Sequence, residues 1–512
     1  MEITMPYKTS SLCPECLKIL PADVFEENGR VMIRKVCSEH GEFVDVYWGD
    51  SEMFRKAARF AHDGHGIENP LVEVKTDCPF NCGLCSRHLS HTALLNIVVT
   101  NRCDLACWYC FFYAKKAGYI YEPSVEKIRE MVRTAKNLRP VSTNAVQLTG
   151  GEPTLRDDII EIIQAIREEG IEHVQLNTNG IRLAREPDFA LKVRQAGVNT
   201  IYLSFDGVDE HTNPKNGPEV PVILHNCRRA GLGVVLVPTV IKGVNDHQLG
   251  EIIRFGADNI DVVRGVNFQP VSLTGSMPRK EREQFRITIP DAIKRIEEQT
   301  DGEIAAEDFY PVPCVTAISH FVEAMTGEPQ YELTTHFACG MATYVFKEDD
   351  RLLPITRFVD VEGLFEYLSQ KAEEISHSRI KTVRALKGII DLRKFVDEEH
   401  APKDFDISKI LFDVLVKHDY STLGKFHERT LFIGMMHFMD LYNYDLARIQ
   451  RCDIHYASPD GRVIPFCTFN VMPELYRDEV QARYGIPIKE WERMTGRKLK
   501  DDIYRVVRRP AN

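Results

Sequence analysis

The chain has 512 residues, of which 44% are hydrophobic and 27% charged, and its net charge is −11. This length predicts about two to four domains, and the composition excludes disordered, collagen-like and coiled-coil chains. The acidic balance argues against nonspecific nucleic-acid binding, which depends on Lys and Arg. Because we find neither an apolar run of ~18 residues nor a signal-peptide pattern, we expect a cytoplasmic protein.

The sequence divides into three regions of different pattern. Residues 1–90 hold six cysteines and little helical periodicity, which predicts a Cys-rich metal or iron–sulfur domain. Residues 91–300 alternate apolar strands with amphipathic helices, whereas residues 301–512 hold helical segments and four scattered cysteines. We expect the last region to be an α-rich, cluster-binding domain. Fourteen cysteines in an intracellular chain indicate metal ligation rather than a disulfide framework.

The first cysteine group, in the segments CPEC and VCSEHG, predicts a mononuclear metal site. Cys13, Cys16 and Cys37 would be thiolate ligands of zinc or of a rubredoxin-type iron. His40 would complete the tetrahedron, and a cysteine of the next group is the alternative fourth ligand.

The second group, in CPFNCGLC, places Cys78, Cys82 and Cys85 with three and then two residues between them. Three thiolates at this spacing suit a [4Fe–4S] cluster whose fourth ligand comes from elsewhere.

The middle region predicts repeated βα units. After a wider first gap the strands begin about 30 residues apart, which is the length of a βα unit and implies a parallel sheet. Six units favour a partial, open (β/α)6 barrel of the TIM type, with the chemistry at the strand C-termini. Ser124 should cap one helix and Gly170 should end the next. The predicted strands are residues 94–100, 145–149, 173–177, 200–205, 234–240 and 262–269.

The segment NRCDLACWYCFF follows the first strand and places Cys103, Cys107 and Cys110 on one loop. Three thiolates there can hold three irons of a [4Fe–4S] cluster and leave the fourth iron open. This loop resembles the CxxxCxxC loop of the radical S-adenosylmethionine (radical SAM) superfamily. The resemblance implies that SAM chelates the open iron and is cleaved by one electron to a 5′-deoxyadenosyl radical, so that these cysteines are catalytic.

Later strand ends also match this family. LTGGEPTLR is similar to its GGE segment, in which Glu152 would receive the ammonium of SAM. The competing interpretation, ordinary βα turns beside a zinc knuckle, leaves several motifs at strand ends unexplained. The other residues that the resemblance assigns to SAM are Tyr109, Gly150, Gly151, Asn177, Asn179, Ser204, Asp206 and Gln269.

The remaining cysteines predict auxiliary clusters. The second group would hold one, because no GGE segment accompanies it; a second SAM site is the alternative. A second auxiliary cluster would use four cysteines of the last region, for which buried free thiols are the alternative. Cys227 is expected to be core packing. The four cysteines are Cys314, Cys339, Cys452 and Cys467.

Two other features of the last region bear on lipid contact. Residues 430–442 predict a buried core helix, with a lipid groove as the alternative. A basic segment predicts a solvated helix face, with contacts to lipid phosphates as the alternative. Its side chains are Arg379, Lys381, Arg384, Lys387, Arg393 and Lys394.

Over nearly its full length the sequence resembles an archaeal radical SAM group that includes the tetraether lipid synthases. The motifs are CPEC, CPFNCGLC, CDLACWYCFF, TGGEPTLRDD and RCDIHYASPDGRVIPFCTFN. The resemblance implies an enzyme that couples two phytanyl chains of archaeal glycerol ether lipids at their terminal methyl carbons, consuming two SAM per bond. It further implies a diether lipid substrate, a low-potential electron donor and peripheral contact with the membrane.

Two other functions remain open. The first is a radical SAM C-methyltransferase of methanopterin biosynthesis, an activity earlier assigned to members of the same group. The second is a non-catalytic iron–sulfur electron-transfer protein, against which the intact Glu152 and cysteine triplet argue.

Overall fold

The computed structural model describes residues 4–112, 117–377, 391–402 and 429–509, together with residues 406, 409, 410 and 426. Of the basic segment, only Arg393 and Lys394 lie among the described residues. Arg393 forms an ion pair with Asp406 at 3.1 Å, and the ammonium of Lys394 lies 3.9 Å from the centre of the Tyr367 ring. The other four side chains lie outside the described residues, so the solvated helix face stays a prediction and contact with lipid phosphates stays its alternative.

The N-terminal region is an antiparallel sheet with strand order β1-β2-β3-β4. Alternate residues of β3, including Val31 and Ile33, are buried, so one face of this sheet packs into the core. The Asp50 carboxylate accepts hydrogen bonds from the main chain of Glu52 and Met53 and caps the following helix, α1. These elements are β1 Tyr7–Leu12, β2 Ile19–Glu27, β3 Arg30–Cys37, β4 Gly41–Trp48 and α1 Ser51–Ala58.

The middle region is the expected partial barrel. Its strands are β5 Leu94–Thr100, β6 Leu105–Cys107, β7 Tyr119–Ile120, β8 Ala145–Gly150, β9 His173–Thr178, β10 Thr200–Ser204, β11 Gly233–Val237, β12 Thr239–Val240 and β13 Val263–Pro270. Strands β5, β8, β9, β10, β11 and β13 pair in that order, and every pairing is parallel. The predicted (β/α)6 architecture is confirmed.

Helices connect these strands as the sequence pattern predicts. Ser124 accepts a hydrogen bond from the Lys127 main chain at the start of α2, and Gly170 follows α3 with φ +80°. The helices are α2 Val125–Lys136, α3 Ile159–Glu168, α4 Ile181–Arg185, α5 Phe189–Ala196, α6 Val220–Ala230, α7 Leu249–Asp258, α8 Arg282–Phe285 and α9 Ile289–Gln299.

The last region contributes the strands β14 Tyr310–Pro311, β15 Gly340–Glu348, β16 Arg351–Pro354, β17 Thr430–Met436, β18 Ile454–Ala457, β19 Val463–Pro465, β20 Ile486–Pro487 and β21 Arg505–Val507. Strands β14 to β17 extend the same sheet beyond β13, and β18 and β19 extend it beyond β5, whereas β20 pairs with β7 and β21 pairs with β6. β17 runs parallel to β13, and β18 runs parallel to β5. The predicted boundary at residue 300 is therefore not a break in the sheet.

Residues 430–436 form strand β17, so the helix predicted over 430–442 is wrong there. Leu431, Ile433 and Met435 are buried, Phe432 and Met436 are half-buried, and the strand pairs with β13 on one side and β15 on the other. A continuous apolar run does not by itself distinguish a buried strand from a buried helix.

The last region also contributes helices, which are α10 Thr316–Thr326, α11 Val361–Ser376, α12 Leu446–Gln450, α13 Phe466–Val471, α14 Glu479–Tyr484 and α15 Ile488–Thr495. An apolar cluster that includes Tyr444, Tyr456 and Phe469 packs against Cys78, Cys82 and Cys452. Across the described ranges, none of the helices combines the length and the apolarity that crossing a bilayer requires.

Candidate active site

A cavity opens at the carboxyl ends of the barrel strands. Because parallel strands end at the same edge of a sheet, residues distant in sequence meet there. The cavity is lined by Cys103, Cys107, Tyr109, Cys110, Gly150, Gly151, Glu152, Asn177, Asn179, Ser204, Gln269 and Cys467. Asp206 contacts this set through Tyr109. The residues that the resemblance assigned to SAM are therefore brought together, and their roles stay predictions.

The loop of Cys103, Cys107 and Cys110 presents three thiols to this cavity. The Leu105 main chain donates to the Cys103 Sγ at 3.4 Å, and the Phe112 main chain donates to the Cys110 Sγ at 3.3 Å. Burial raises the pKa of Cys107 to about 12. Three thiols in this buried position fit an iron–sulfur cluster. Burial disfavours a free thiolate, and an iron ion stabilises the thiolate by taking the place of the proton.

The two glycines of the GGE segment permit a close approach to the cysteine loop. A Cβ on Gly150 would lie 2.1 Å from the Thr100 carbonyl oxygen, and one on Gly151 would lie 2.0 Å from the Arg102 carbonyl oxygen. The main chain of Glu152 donates to that Arg102 oxygen at 2.7 Å. A side chain at either position would push the carboxyl end of β8 away from the cysteine loop.

Glu152 is 1% exposed, and its carboxylate accepts four hydrogen bonds. Oε1 accepts from the main chain and hydroxyl of Thr154 at 3.0 and 2.6 Å and from the Thr178 hydroxyl at 2.7 Å. Oε2 accepts from the Asn179 main chain at 2.8 Å. Burial, and then the charge of Asp104, raise the pKa of Glu152 to about 7. A cationic ligand group in the cavity would offset this loss of solvation.

Lys215 and Asp206 form a buried ion pair in the segment that follows β10. Lys215 Nζ is 2.9 Å from Asp206 Oδ2 and donates to the Ser204 hydroxyl at 2.8 Å. The Tyr109 hydroxyl donates to the same Asp206 oxygen. Burial raises the pKa of Tyr109, and the Asp206 charge adds to that rise, so the phenol keeps its proton.

One wall of the cavity is apolar and aromatic. The rings of Phe438 and Phe466 stack with centroids 3.9 Å apart. Asn470, on α13, donates to the Phe466 carbonyl at 3.0 Å, whereas its Oδ1 has no hydrogen-bond partner among the described residues. This wall offers a stacking surface and one buried acceptor to a bound molecule.

The strand β21 pairs in parallel with β6, which lies inside the cysteine loop. Cα partners include Arg505 with Leu105 and Val507 with Cys107. The Arg505 guanidinium lies 2.7 Å from the Glu219 carboxylate at the start of α6. The loop is thus fixed on one side by the GGE segment and on the other by this strand.

The first cysteine group converges with His40. Cys16 Sγ lies 3.9 Å from Cys37 Sγ, and His40 Nδ1 lies 3.5 Å from Cys37 Sγ and 3.7 Å from Cys13 Sγ. In a tetrahedral zinc–thiolate site with ~2.3 Å bonds, ligand atoms are ~3.7 Å apart. Hydrogen bonds from the Glu39 main chain, and then from His40, lower the pKa of Cys37 to about 6. The donor set therefore fits the predicted mononuclear ion.

The second cysteine group packs against the last region. The Cys82 main chain donates to the Tyr476 hydroxyl at 3.1 Å, and that hydroxyl donates to the Pro79 carbonyl. Burial raises the pKa of Cys78 to about 12, and the charge of Cys85 adds to that rise. These thiols lie apart from the cavity lining, and their auxiliary cluster stays a prediction.

Of the four late cysteines, three are neighbours. Burial and then the charge of Cys467 raise the pKa of Cys452; burial raises the pKa of Cys467 to about 12, which the Arg448 charge opposes and the Cys339 charge increases. Cys314 differs, since burial raises its pKa to about 12 with no contribution from another described cysteine. The structure therefore groups Cys339, Cys452 and Cys467 and leaves Cys314 apart from them.

Sequence reasoning missed Lys215 and Arg448. Arg448 is buried, and its Nε donates to the Cys339 Sγ at 3.2 Å. Lys215 lies in the polar turn TNPKNG and Arg448 in a short helix, and neither setting distinguishes them from solvated cations. Cys227 is fully buried in α6, as a core residue would be.

Comparisons with known proteins agree with this geometry. The Radical SAM superfamily model matches residues 97–256, and the HMPTM N-terminal zinc ribbon domain matches residues 5–49. The chain is 49% identical over 500 residues to the 7,8-dihydro-6-hydroxymethylpterin dimethyltransferase of Methanocaldococcus jannaschii, covering 96% of this chain and 98% of that protein. That name corresponds to the alternative drawn from the sequence rather than to tetraether synthesis.

More distant relatives share the barrel region. The chain is 32% identical over 167 residues to the GTP 3′,8-cyclase of Marinobacter nauticus, which covers 31% of this chain and 49% of that protein. Among solved structures, the FeFe-hydrogenase maturase HydG from Carboxydothermus hydrogenoformans matches with a TM-score of 0.33 and 15% identity, covering 41% of this chain and 51% of that one.

Proposed function

Because this chain belongs to the radical SAM superfamily and to the same family as the M. jannaschii protein, we propose that it transfers methyl groups to carbon atoms of a reduced pterin. The observation that carries the proposal is the 49% identity over nearly the whole of both chains. When bound, the cluster and one SAM would supply a 5′-deoxyadenosyl radical able to abstract a hydrogen atom. A second SAM would supply the methyl group and leave as S-adenosylhomocysteine, with the electrons provided by the low-potential donor.

The residues of the cavity would divide this task. Cys103, Cys107 and Cys110 would hold the cluster. The Glu152 carboxylate, fixed by four donors, would accept the ammonium of SAM. The stacked rings of Phe438 and Phe466 would hold a flat heterocycle.

The specific contact to a pterin would come from Asn470. Its Oδ1 is buried, lines the cavity and has no partner among the described residues. A pterin presents ring N–H and amino groups that would donate to this oxygen, whereas an alkyl chain would leave it unpaired.

A second candidate is the coupling of two alkyl chains of archaeal diether lipids, giving tetraether or macrocyclic products with two SAM consumed per bond. The apolar wall formed by Phe438, Met439 and Phe466 favours it. This candidate includes a peripheral contact with the membrane. Both candidates need a low-potential one-electron donor.

The test incubates reduced holoenzyme and SAM carrying a CD₃ group with 7,8-dihydro-6-hydroxymethylpterin or with an archaeal diether lipid. Mass spectrometry of a pterin that has gained labelled methyl groups supports the first candidate. A coupled lipid without pterin methylation supports the second and contradicts the first. Asn470→Leu should reduce pterin methylation by about 5- to 150-fold, since one lost hydrogen bond to a buried partner costs about 1–3 kcal/mol, and should spare lipid coupling.

A further inference from the structure

A cluster of histidines and glutamates lies apart from the barrel-mouth cavity and from the predicted cysteine sites. His62 and His65 belong to the segment that follows α1, His320 and Glu323 lie one turn apart on α10, and Glu332 follows α10. Within the described ranges, the ligand atoms of His62, His320 and Glu332 all lie within 4.8 Å of one another. His65, Glu323 and Glu332 form a second such group that shares Glu332.

Glu332 is the centre of this cluster, and its side chain is 1% exposed. Oε1 lies 2.9 Å from His320 Nε2, and Oε2 lies 2.8 Å from His65 Nδ1. The other ring nitrogen of His65 lies 3.0 Å from Glu323 Oε1. His65 therefore fixes Oε2 of the carboxylate, and Oε1 lies beside the imidazole of His320.

Two further observations indicate that the cluster is built around a cation. A Cβ on Gly64 would lie 2.9 Å from Glu332 Oε2, so only glycine lets the His62–His65 segment approach this closely. In addition, Glu323 Oε2 is buried and has no hydrogen-bond partner among the described residues. The Glu332 and Glu323 carboxylates thus lie close together, and one Glu323 oxygen has no donor among the described residues. The N–H groups of the imidazoles do not compensate all of this negative charge, and a bound cation would.

We propose that His62, His320 and Glu332 bind one divalent ion of the zinc class, with water at the fourth position. Imidazole nitrogen and carboxylate oxygen are common zinc ligands, and in a tetrahedral site with ~2.0–2.1 Å bonds they stand ~3.3 Å apart. The 2.9 Å between His320 Nε2 and Glu332 Oε1 needs to widen by only a few tenths of an ångström. His62 is exposed, which gives the ion an entry path.

His65 is a positioning residue in this site. It bridges the second oxygen of Glu332 to Glu323, an arrangement that fixes a ligating carboxylate and raises metal affinity. The ion would join the segment after α1 to α10. Asp63, in the same segment, pairs at 2.6 Å with Arg451, the residue before Cys452, so the site also supports the position of that cysteine.

The experiment measures zinc per chain by elemental analysis after equilibration of anaerobic holoenzyme with Zn²⁺ and removal of free metal. Wild-type protein should hold one zinc more per chain than His62→Ala and than His320→Ala. His65→Gln should keep the ion at saturation with an affinity lowered about 10–100-fold. His400→Ala is the matched control, because His400 also pairs with a carboxylate, that of Asp397 at 2.7 Å, on the surface outside the cluster.

Iron content and 5′-deoxyadenosine formation verify that each variant is folded. X-ray absorption at the zinc edge gives a second readout. When a zinc site with nitrogen and oxygen ligands is lost, the average number of ~2.3 Å sulfur ligands per remaining zinc should rise. Equal zinc content in wild type, His62→Ala and His320→Ala, with folded variants, would overturn the proposal. Because His62 is exposed, its replacement tests the site without disturbing the core.

Discussion

The ammonium of Lys215 lies 2.9 Å from the carboxylate of Asp206 in the cavity that the cluster loop lines. Both side chains are buried. The ammonium also lies 4.9 Å from the centre of the Tyr109 ring, and its charge lowers the pKa of Cys107 and Cys110 against the larger effect of burial. Lys215 therefore supplies a fixed positive charge beside Cys107 and Cys110, which would bind the cluster as thiolates.

Replacing this cation tests its role. Lys215→Met should lower the free energy of unfolding by about 3 kcal/mol, because it leaves the buried Asp206 carboxylate without its partner. Iron bound per chain after reconstitution should fall as well. Denaturant unfolding and iron assay measure both, with exposed Lys192→Met as the control. Wild-type stability in Lys215→Met would contradict this account.

The cluster loop can be tested by removing its thiols together. Replacing Cys103, Cys107 and Cys110 with Ala should remove about four Fe per chain and abolish 5′-deoxyadenosine formation. Cys227→Ala, a change of a core cysteine in α6, should leave both quantities unchanged. If SAM cleavage persists in the triple variant, the second group at Cys78, Cys82 and Cys85 is the SAM site.

Glu152→Gln should weaken SAM binding and leave iron content unchanged. The neutral amide cannot pair with an ammonium, and its NH₂ group would meet the donating main chain of Asn179 or the Thr154 and Thr178 donors. Equilibrium binding of SAM and iron assay provide the measurement. Thr154→Val removes one donor to Glu152 while keeping the charge, and should have the smaller effect. Iron loss in Glu152→Gln would count against its assignment to SAM.

Cys467 lines the cavity beside Met439, whose main chain donates to its Sγ at 3.4 Å. Cys467→Ala should lose the predicted auxiliary cluster, measured as about four Fe per chain, and should lose substrate product while still cleaving SAM. Cys314→Ala is the paired comparison, because Cys314 stands apart from the other three thiols. Full iron and normal product in Cys467→Ala would make these residues core cysteines.

Two buried histidines predict a dependence of stability on pH. His88 and His455 meet Nε2 to Nε2 at 3.1 Å, and burial lowers the pKa of His88 from 6.5 to about 4. Between these pH values the unfolded chain binds more protons than the folded one, so stability is complete above pH 6.5 and is lost as pH falls toward 4. The loss approaches about 3 kcal/mol for the full shift.

This dependence is measured as the change in Tm between pH 7 and pH 5 by circular dichroism. His455→Leu should make the slope shallower, because it removes one of the two imidazoles that must acquire a proton on unfolding. The exposed His211→Gln should keep the wild-type slope. An unchanged slope in His455→Leu would show that acid lability of the clusters dominates instead.

The barrel strands were predictable because their apolar runs recur at the length of a βα unit and end in glycine and polar residues. The residues grouped at the barrel mouth were predicted from the family resemblance, and parallel strands, which end at the same edge of a sheet, bring those positions together. His40 lies beside Cys13 and Cys37, and its position close to Cys37 in the sequence made it a predictable ligand. The grouping of Cys13, Cys16, Cys37 and His40 needed no knowledge of distant segments.

Long-range placement was not predictable in the same way. Lys215 reaches the cluster loop only because a turn after β10 folds back over it, and no local pattern marks that path. Strand β17 resembled a helix because it is apolar on both faces, as a strand that pairs on both sides within a covered sheet can be; it runs parallel to β13 and antiparallel to β15. Cys314 was grouped with Cys339, Cys452 and Cys467 only because four cysteines suit one cluster. A count of cysteines does not show which side chains lie close together.

The pairing of β21 with β6 has a consequence for the order in which the protein is made. A ribosome that has synthesised residues 1–500 has already released all three thiols of the cluster loop, yet residues 505–507, which border that loop, do not exist. Until then the Arg505–Glu219 ion pair is also missing. The loop therefore gains the border formed by β21 only when synthesis of the chain is nearly finished.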